Sequence, residues 1–232
     1  IFPDATKDLI KSAKVEQGFM EKVADTYIAD SKIPLALIVE DNRDVKDYLA
    51  TCLANTYQLV FASDGAEGIK KAIALIPDII ISDVMMPEKD GFELCDYLKK
   101  DRHTSHVPII LLTAKADLDS KVLGFQRGAD AYIAKPFNKE ELLIRMHKLI
   151  QLRPEFQKRF GGPFQTDQRK ISNTKFALEV QFLEQVNQII KAHVEQETFD
   201  SSQLSKAVNM SNSQLYRKLK AITGRSTAIY LR

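Results

Sequence analysis

The stretch Asp78-Ile79-Ile80-Ile81-Ser82-Asp83-Val84-Met85-Met86-Pro87 decides how the rest of the chain is read. A short apolar run, rich in β-branched residues, ends in a carboxylate and is followed by a proline. That pattern predicts a buried strand with Asp83 at its carboxyl end. Three further runs end the same way. Leu35-Ala36-Leu37-Ile38-Val39 leads into Glu40-Asp41, Ile109-Ile110-Leu111-Leu112 into Thr113, and Ala131-Tyr132-Ile133-Ala134 into Lys135-Pro136. If the runs are parallel strands of one sheet, their carboxyl ends converge on one crevice. The crevice then holds carboxylates, a hydroxyl and an ammonium.

Helical spacing fills the gaps between these runs. Val45, Leu49 and Leu53 share a face. Ala66 to Ile76 is helical up to Pro77, with a strand from Tyr57 to Ala62 before it. Further helices are expected from Phe92 to Lys100, Leu118 to Arg127 and Lys139 to Leu152. Five strands alternating with helices predict an α/β fold with a doubly wound, five-stranded parallel sheet. Residues 34–152 form this first domain. Residues 1–33 read as a weak helix or linker, and 153–178, with Gly161-Gly162-Pro163, as a linker. Residues 179–232 read as a smaller all-α domain. Here Asp200-Ser201-Ser202-Gln203 and Ser211-Asn212-Ser213-Gln214 each open a helix, with Asn209-Met210 as the turn between them. Two short helices around a tight turn read as helix-turn-helix.

Composition narrows the function. The chain has 232 residues, 44% of them apolar, and no apolar run of the ~20 residues needed to span a bilayer. Cys52 and Cys95 are its only cysteines and form no C-x-x-C pair, which fits a reducing cytoplasm. Residues 34–152 carry 15 basic and 18 acidic side chains. Residues 153–232 carry 13 basic and 7 acidic, and from Ser201 onward there are six basic and none acidic. A mildly acidic domain before a basic one points to nucleic acid as the second domain's partner. The opening Ile1, and a last stretch Ala228–Arg232 without a helix stop signal, suggest part of a longer protein.

Glu40, Asp41 and Asp83 in one crevice repel one another unless a cation neutralises them. Mg²⁺ suits such oxygen ligands. An aspartate that accepts a phosphoryl group needs the transferring oxygens neutralised, and Lys135 and the Thr113 hydroxyl serve that need. Singly, each residue has a plainer reading: a strand-end aspartate as a helix cap, Lys135 as a surface lysine. Four strand ends with compatible chemistry favour the phosphate-accepting reading. Lys135–Pro136 is expected to be cis, since the lysine must turn back into the crevice where its strand ends. A phosphohydrolase with Asp83 or Asp41 as nucleophile is the enzyme alternative. Such enzymes often carry a second aspartate two residues on, where this chain has Met85 and Arg43. A domain acting only by protein contact is a third reading. His103 and His106, which flank Thr104-Ser105 in a loop before Pro108, are set aside as metal ligands.

Residues 35–152 resemble a response-regulator receiver domain. The resemblance lies in Val39-Glu40-Asp41-Asn42, in Asp83-Val84-Met85-Met86-Pro87 with Asp90-Gly91, in Leu112-Thr113-Ala114-Lys115, and in Gly128-Ala129-Asp130-Ala131-Tyr132-Ile133-Ala134-Lys135-Pro136-Phe137. It implies that Asp83 is phosphorylated by a histidine kinase. It also implies that Glu40, Asp41, Asp83 and the Met85 carbonyl surround Mg²⁺, and that Thr113 and Tyr132 form a switch.

Residues 182–232 resemble the first half of an AraC-type DNA-binding domain, through Met210-Ser211-Asn212-Ser213-Gln214-Leu215-Tyr216-Arg217-Lys218-Leu219-Lys220-Ala221-Ile222-Thr223-Gly224. Leu215, Leu219 and Ile222 make a buried stripe; Ser213, Gln214, Arg217 and Lys218 are expected to face a DNA groove. The family has two helix-turn-helix units, so one unit implies weak, largely non-specific binding. The order of parts resembles hybrid two-component proteins with a sensor kinase fused upstream. The expected partners are therefore a histidine kinase, DNA and a second copy of the chain, with no membrane contact.

Overall fold

A computed structural model describes residues 33–114, 127–151, 157, 176–194 and 199–231. The expected helix from Leu118 to Arg127, apart from Arg127 itself, the segment 1–32 and most of the linker lie outside the described residues. The first part alternates β1 (Leu35–Val39), α1 (Arg43–Leu53), β2 (Gln58–Ala62), α2 (Gly65–Leu75), β3 (Ile79–Asp83), α3 (Gly91–Lys100), β4 (Ile109–Thr113), β5 (Ala131–Ala134) and α4 (Lys139–Gln151). The five strands form one sheet in the order β2-β1-β3-β4-β5. All four pairings are parallel.

The strands are buried on both faces, which is why their sequences run apolar without alternation. Successive side chains still point to opposite sides. Leu35, Leu37, Val39, Ile80, Ile109 and Leu111 pack with α2 and α3. Ala36, Ile38, Ile79, Ile81, Ile110 and Leu112 pack with α1 and α4. Cys52 and Cys95 are both buried free thiols, and burial pushes the Cys95 thiol up to about 12, which makes it inert.

Local chemistry sets the helix starts. The Asn42 side chain accepts from the Asp44 and Val45 amides and so opens α1. Asp64 caps α2, and Asp90 with Glu93 completes a reciprocal capping box on α3. Lys135–Pro136 is cis, as expected.

The remaining helices are α5 (Ala177–Ala192), α6 (Ser201–Ala207), α7 (Asn212–Thr223) and the four-residue α8 (Thr227–Tyr230). α5 begins five residues before the start expected from apolar spacing at Phe182. These helices share their own core around Leu183, Val186, Leu204, Leu215, Leu219 and Ile222. Asn209 takes the expected left-handed conformation between α6 and α7, with φ of 55°. Ser211 and Gln214 form the expected capping box, and Gly224, at φ 74°, ends α7.

These helices also pack back on the α/β part. Ser105 Oγ donates to Glu179 Oε1 at 2.6 Å, and Gln214 Nε2 donates to the Ile73 carbonyl at 2.8 Å. Arg102 donates to the Val208 carbonyl, and Lys218 donates to the Arg102 carbonyl.

Candidate phosphoacceptor site

The parallel register brings the four strand ends together. Glu40 and Asp41 follow β1, Asp83 ends β3, Thr113 ends β4 and Lys135 follows β5. Ladder bonds hold the ends in place. Glu40 N donates to the Ala62 carbonyl at 3.1 Å, Val84 N to Leu112 at 2.9 Å and Lys135 N to Thr113 at 2.7 Å.

Glu40 is 1% exposed and Asp83 8%. Lys135 Nζ lies 2.8 Å from Glu40 Oε2 and 3.0 Å from Asp83 Oδ2. Burial, followed by the negative charge of Asp83, pushes the Glu40 carboxyl up against the opposing pull of Lys135. Burial alone would lower the Lys135 ammonium, but its hydrogen bonds to Glu40 and Asp83 outweigh burial and raise it. The lysine therefore stays protonated, which phosphoryl neutralisation requires.

Ligand oxygens of Glu40, Asp41 and Asp83 lie within 4.8 Å of one another, the only cluster of this kind among the described residues. Three hard oxygen donors, one on an exposed residue (Asp41), suit Mg²⁺ with water completing its shell. Beside them opens a crevice of about 520 Å³, lined by Asp41, Met85, Met86, Pro87, Phe92 and Thr113. Asp83 Oδ1 accepts from the Val84 amide at 2.8 Å, which leaves Oδ2 turned toward Lys135. Met85 is 68% exposed at the rim. Thr113 and Tyr132 are buried, and the Tyr132 ring lies 6.3 Å from that of Phe92.

The loop after Asp83 depends on a contact that residue-by-residue reading overlooks. A Cβ on Gly91 would collide with the Asp83 carbonyl oxygen, and one on Gly65 with the Lys89 carbonyl oxygen. Gly91 N donates to the Val84 carbonyl at 2.9 Å, closing the loop on the strand. The signal was present as two Asp-Gly pairs, Asp64-Gly65 and Asp90-Gly91, each capping a helix.

Residues 36–147 match the family of the response regulator receiver domain. A putative response regulator from Chloroflexus aurantiacus is 35% identical, with a TM-score of 0.50, over 52% of this chain and 99% of that one. Through these residues the chain belongs to the response regulator receiver family. Other relatives of the receiver sit in longer proteins. The histidine kinase P4 of Formosa agariphila is 32% identical over 203 residues, covering 88% of this chain and 15% of that protein. The hybrid signal transduction histidine kinase D of Dictyostelium discoideum is 41% identical over 120 residues, covering 52% of this chain and 8% of its own length. The transcriptional regulator RpaA of Synechocystis is 38% identical over 120 residues, covering 51% of this chain and 50% of its own length. The chain thus spans half or less of these curated relatives. Receivers are phosphoacceptor regulators rather than enzymes, so the phosphohydrolase alternative gives way. No helix among the described residues is long and apolar enough to cross a membrane.

Of the four side chains expected to face DNA, Lys218 is placed otherwise. It is 0% exposed, with Nζ on the Arg102 carbonyl and 4.8 Å from the Phe182 ring centroid. The expectation that it faces outward is corrected: Lys218 lies three residues after Leu215 and four before Ile222, on the apolar stripe itself. Gln214 is turned to the Ile73 carbonyl, while Ser213 and Arg217 are half-buried. Arg102, Ser105 and Glu179 were absent from the sequence-level site, since nothing local in sequence links them to α7.

Proposed function

We propose that Asp83 accepts a phosphoryl group from a phosphohistidine of a histidine kinase, and that this controls the basic C-terminal helices. The carrying observation is Lys135, which lies within 3.0 Å of both Glu40 and Asp83. In the transfer, an Asp83 carboxylate oxygen forms the new P–O bond as the phosphorus–nitrogen bond of the donor breaks. Lys135 and the Thr113 hydroxyl neutralise and hold the phosphoryl oxygens. Glu40, Asp41, Asp83 and the Met85 carbonyl are the groups that would hold Mg²⁺, which supplies charge neutralisation when bound. Thr113 engaging the phosphoryl group, with Tyr132 beside it, would form the switch.

For residues 179–232 the proposal is an AraC-type helix-turn-helix that binds DNA and regulates transcription. Support comes from the basic excess, the capped α7 and the left-handed turn at Asn209 before it. Ser213, Gln214, Arg217 and Lys218 are the side chains proposed to meet DNA, Gln214 and Lys218 once α7 leaves its present partners. The match to the Formosa kinase runs 203 residues, well beyond the receiver, and supports a hybrid two-component protein acting in the cytoplasm.

The test is incubation with a small phosphodonor and Mg²⁺, read by intact mass. A single adduct of roughly 80 Da, one phosphoryl group, is expected. Asp83→Asn should abolish it, and an adduct retained in that variant would sink the assignment.

A further inference from the structure

Helix α3 turns one stripe of side chains toward solvent. Glu93, Asp96, Tyr97 and Lys100 recur at helical spacing, while Leu94, Cys95 and Leu98 hold the buried side. Tyr97 is 48% exposed, and the Lys100 side chain 73%. The C-terminal helices bond the receiver at Ile73, Arg102 and Ser105, which lie off this stripe. Beside the stripe runs a groove of about 530 Å³, lined as well by Lys89, Asp101 and Arg127.

The charges of this face balance. Glu93, Asp96 and Asp101 are acidic; Lys89, Lys100 and Arg127 are basic. A partner of one charge sign gains little from such a surface, whereas a second copy brings a matching pattern. Order along the helix decides the match. The acids Glu93 and Asp96 come before Tyr97, and Lys100 comes after it. Glu93 and Lys100 stand seven residues apart, about 10 Å of helix. A parallel pair of α3 helices would set Glu93 against Glu93 and Lys100 against Lys100. In an antiparallel pair with its twofold axis between Asp96 and Tyr97, Glu93 of each copy faces Lys100 of the other. Such a contact closes on itself, so both ion pairs form together.

Both groups keep bonding capacity. Lys100 gives one of its three protons to Asp96 Oδ2 at 2.7 Å, and Glu93 uses Oε2 for the Asp90 amide at 3.1 Å. Tyr97 falls at the axis, where a rigid amphipathic ring adds contact area at little entropic cost. The adjoining groove has room for the ring of the second copy.

We infer that the exposed face of α3 is an interface between two copies of this chain, packed antiparallel about an axis at Asp96 and Tyr97. The face is one helix wide, so the area falls below the ~1,200 Å² of a lasting complex and the Kd is about 10–100 µM. Its stripe does not line the crevice at Asp83, so the pairing does not rest on the phosphoacceptor reading.

The test is sedimentation velocity of the full chain at low salt, from about 1 µM to 1 mM, with circular dichroism of every variant alongside. Wild type should pass from monomer to dimer across this range. Glu93→Lys and Lys100→Glu each set like charges face to face at both ion pairs and should weaken the dimer by about tenfold or more. Mixed one to one, the two variants again oppose unlike charges and should pair as wild type does, a rescue that damage to the fold could not produce. Tyr97→Ala leaves the charges and the capping box of α3 in place and should weaken the dimer about tenfold. A wild-type chain that stays monomeric throughout overturns the interface, and so does a dimer that both reversals leave intact. Pairing lost in the reversals and not regained on mixing overturns the antiparallel register. Where a reversal loses its native circular dichroism, Tyr97→Ala decides: a native fold with wild-type affinity overturns the interface.

Discussion

Replacing Lys218 by Met should remove a pH dependence of stability that the wild-type chain carries. The ammonium is fully buried, and burial lowers its pKa from an ordinary 10.5 to about 8, with Glu179 and Asp101 pulling the other way and Arg102 reinforcing the drop. Between those two values the unfolded chain holds a proton that the folded chain has released. Stability therefore rises with pH through this window, and the penalty is present in full below about pH 8. The whole difference is about 3 kcal/mol, at 1.36 kcal/mol per unit. About 2 kcal/mol of it is recovered between about pH 7 and pH 9.5. Met fills a similar volume and cannot titrate, but leaves the Arg102 carbonyl without its donor, a loss of about 1–3 kcal/mol. At pH 7 that loss and the removed charge roughly offset, so the slope is the observable. Urea unfolding of both chains, followed by far-ultraviolet circular dichroism, should show wild type gaining about 2 kcal/mol on the variant across that range. Parallel pH profiles, or a wild type that gains toward low pH, would refute the enclosure of Lys218.

Three other outcomes follow from the receiver. Lys135→Met should slow phosphorylation by a small phosphodonor about 10²-fold, the usual cost of losing one preorganised charge partner; rapid-quench rates within threefold or so of wild type would count against its role. Gly91→Ala drives a methyl into the Asp83 carbonyl and should cost about 1–3 kcal/mol in urea unfolding, with lowered phosphoryl uptake; an unmoved midpoint would show that the loop gives way freely. Lys99→Met removes the donor that bonds Asp130 Oδ2 at 2.6 Å and the Val107 carbonyl at 2.8 Å. It should cost about 1–3 kcal/mol in the same assay, because both acceptors are part-buried, and no change would show that water replaces it.

The candidate phosphoacceptor site was legible in sequence because its residues sit at the ends of runs whose burial is itself readable. Ile79–Asp83 and Ile109–Thr113 announce strands enclosed on both faces. A parallel sheet must put their carboxyl ends on one edge, so Asp83 and Thr113 meet without further instruction. The contact of Gly91 with the Asp83 carbonyl was not readable, since it depends on how tightly the loop folds onto the strand. In α7 the difficulty was of another kind. Leu215, Lys218, Leu219 and Ile222 share one stripe, but a lysine on an apolar stripe ordinarily carries its charge out to water.

By itself, then, the sequence determined the strands, the helix caps and which residues end at the crevice, because periodicity and capping are set by near neighbours in the chain. Only the tertiary structure decided the order β2-β1-β3-β4-β5 and the seating of Lys218 on Arg102, 116 residues away. Burial of a charged side chain depends on whether a partner from elsewhere in the chain supplies an acceptor and excludes water, and no local pattern encodes that.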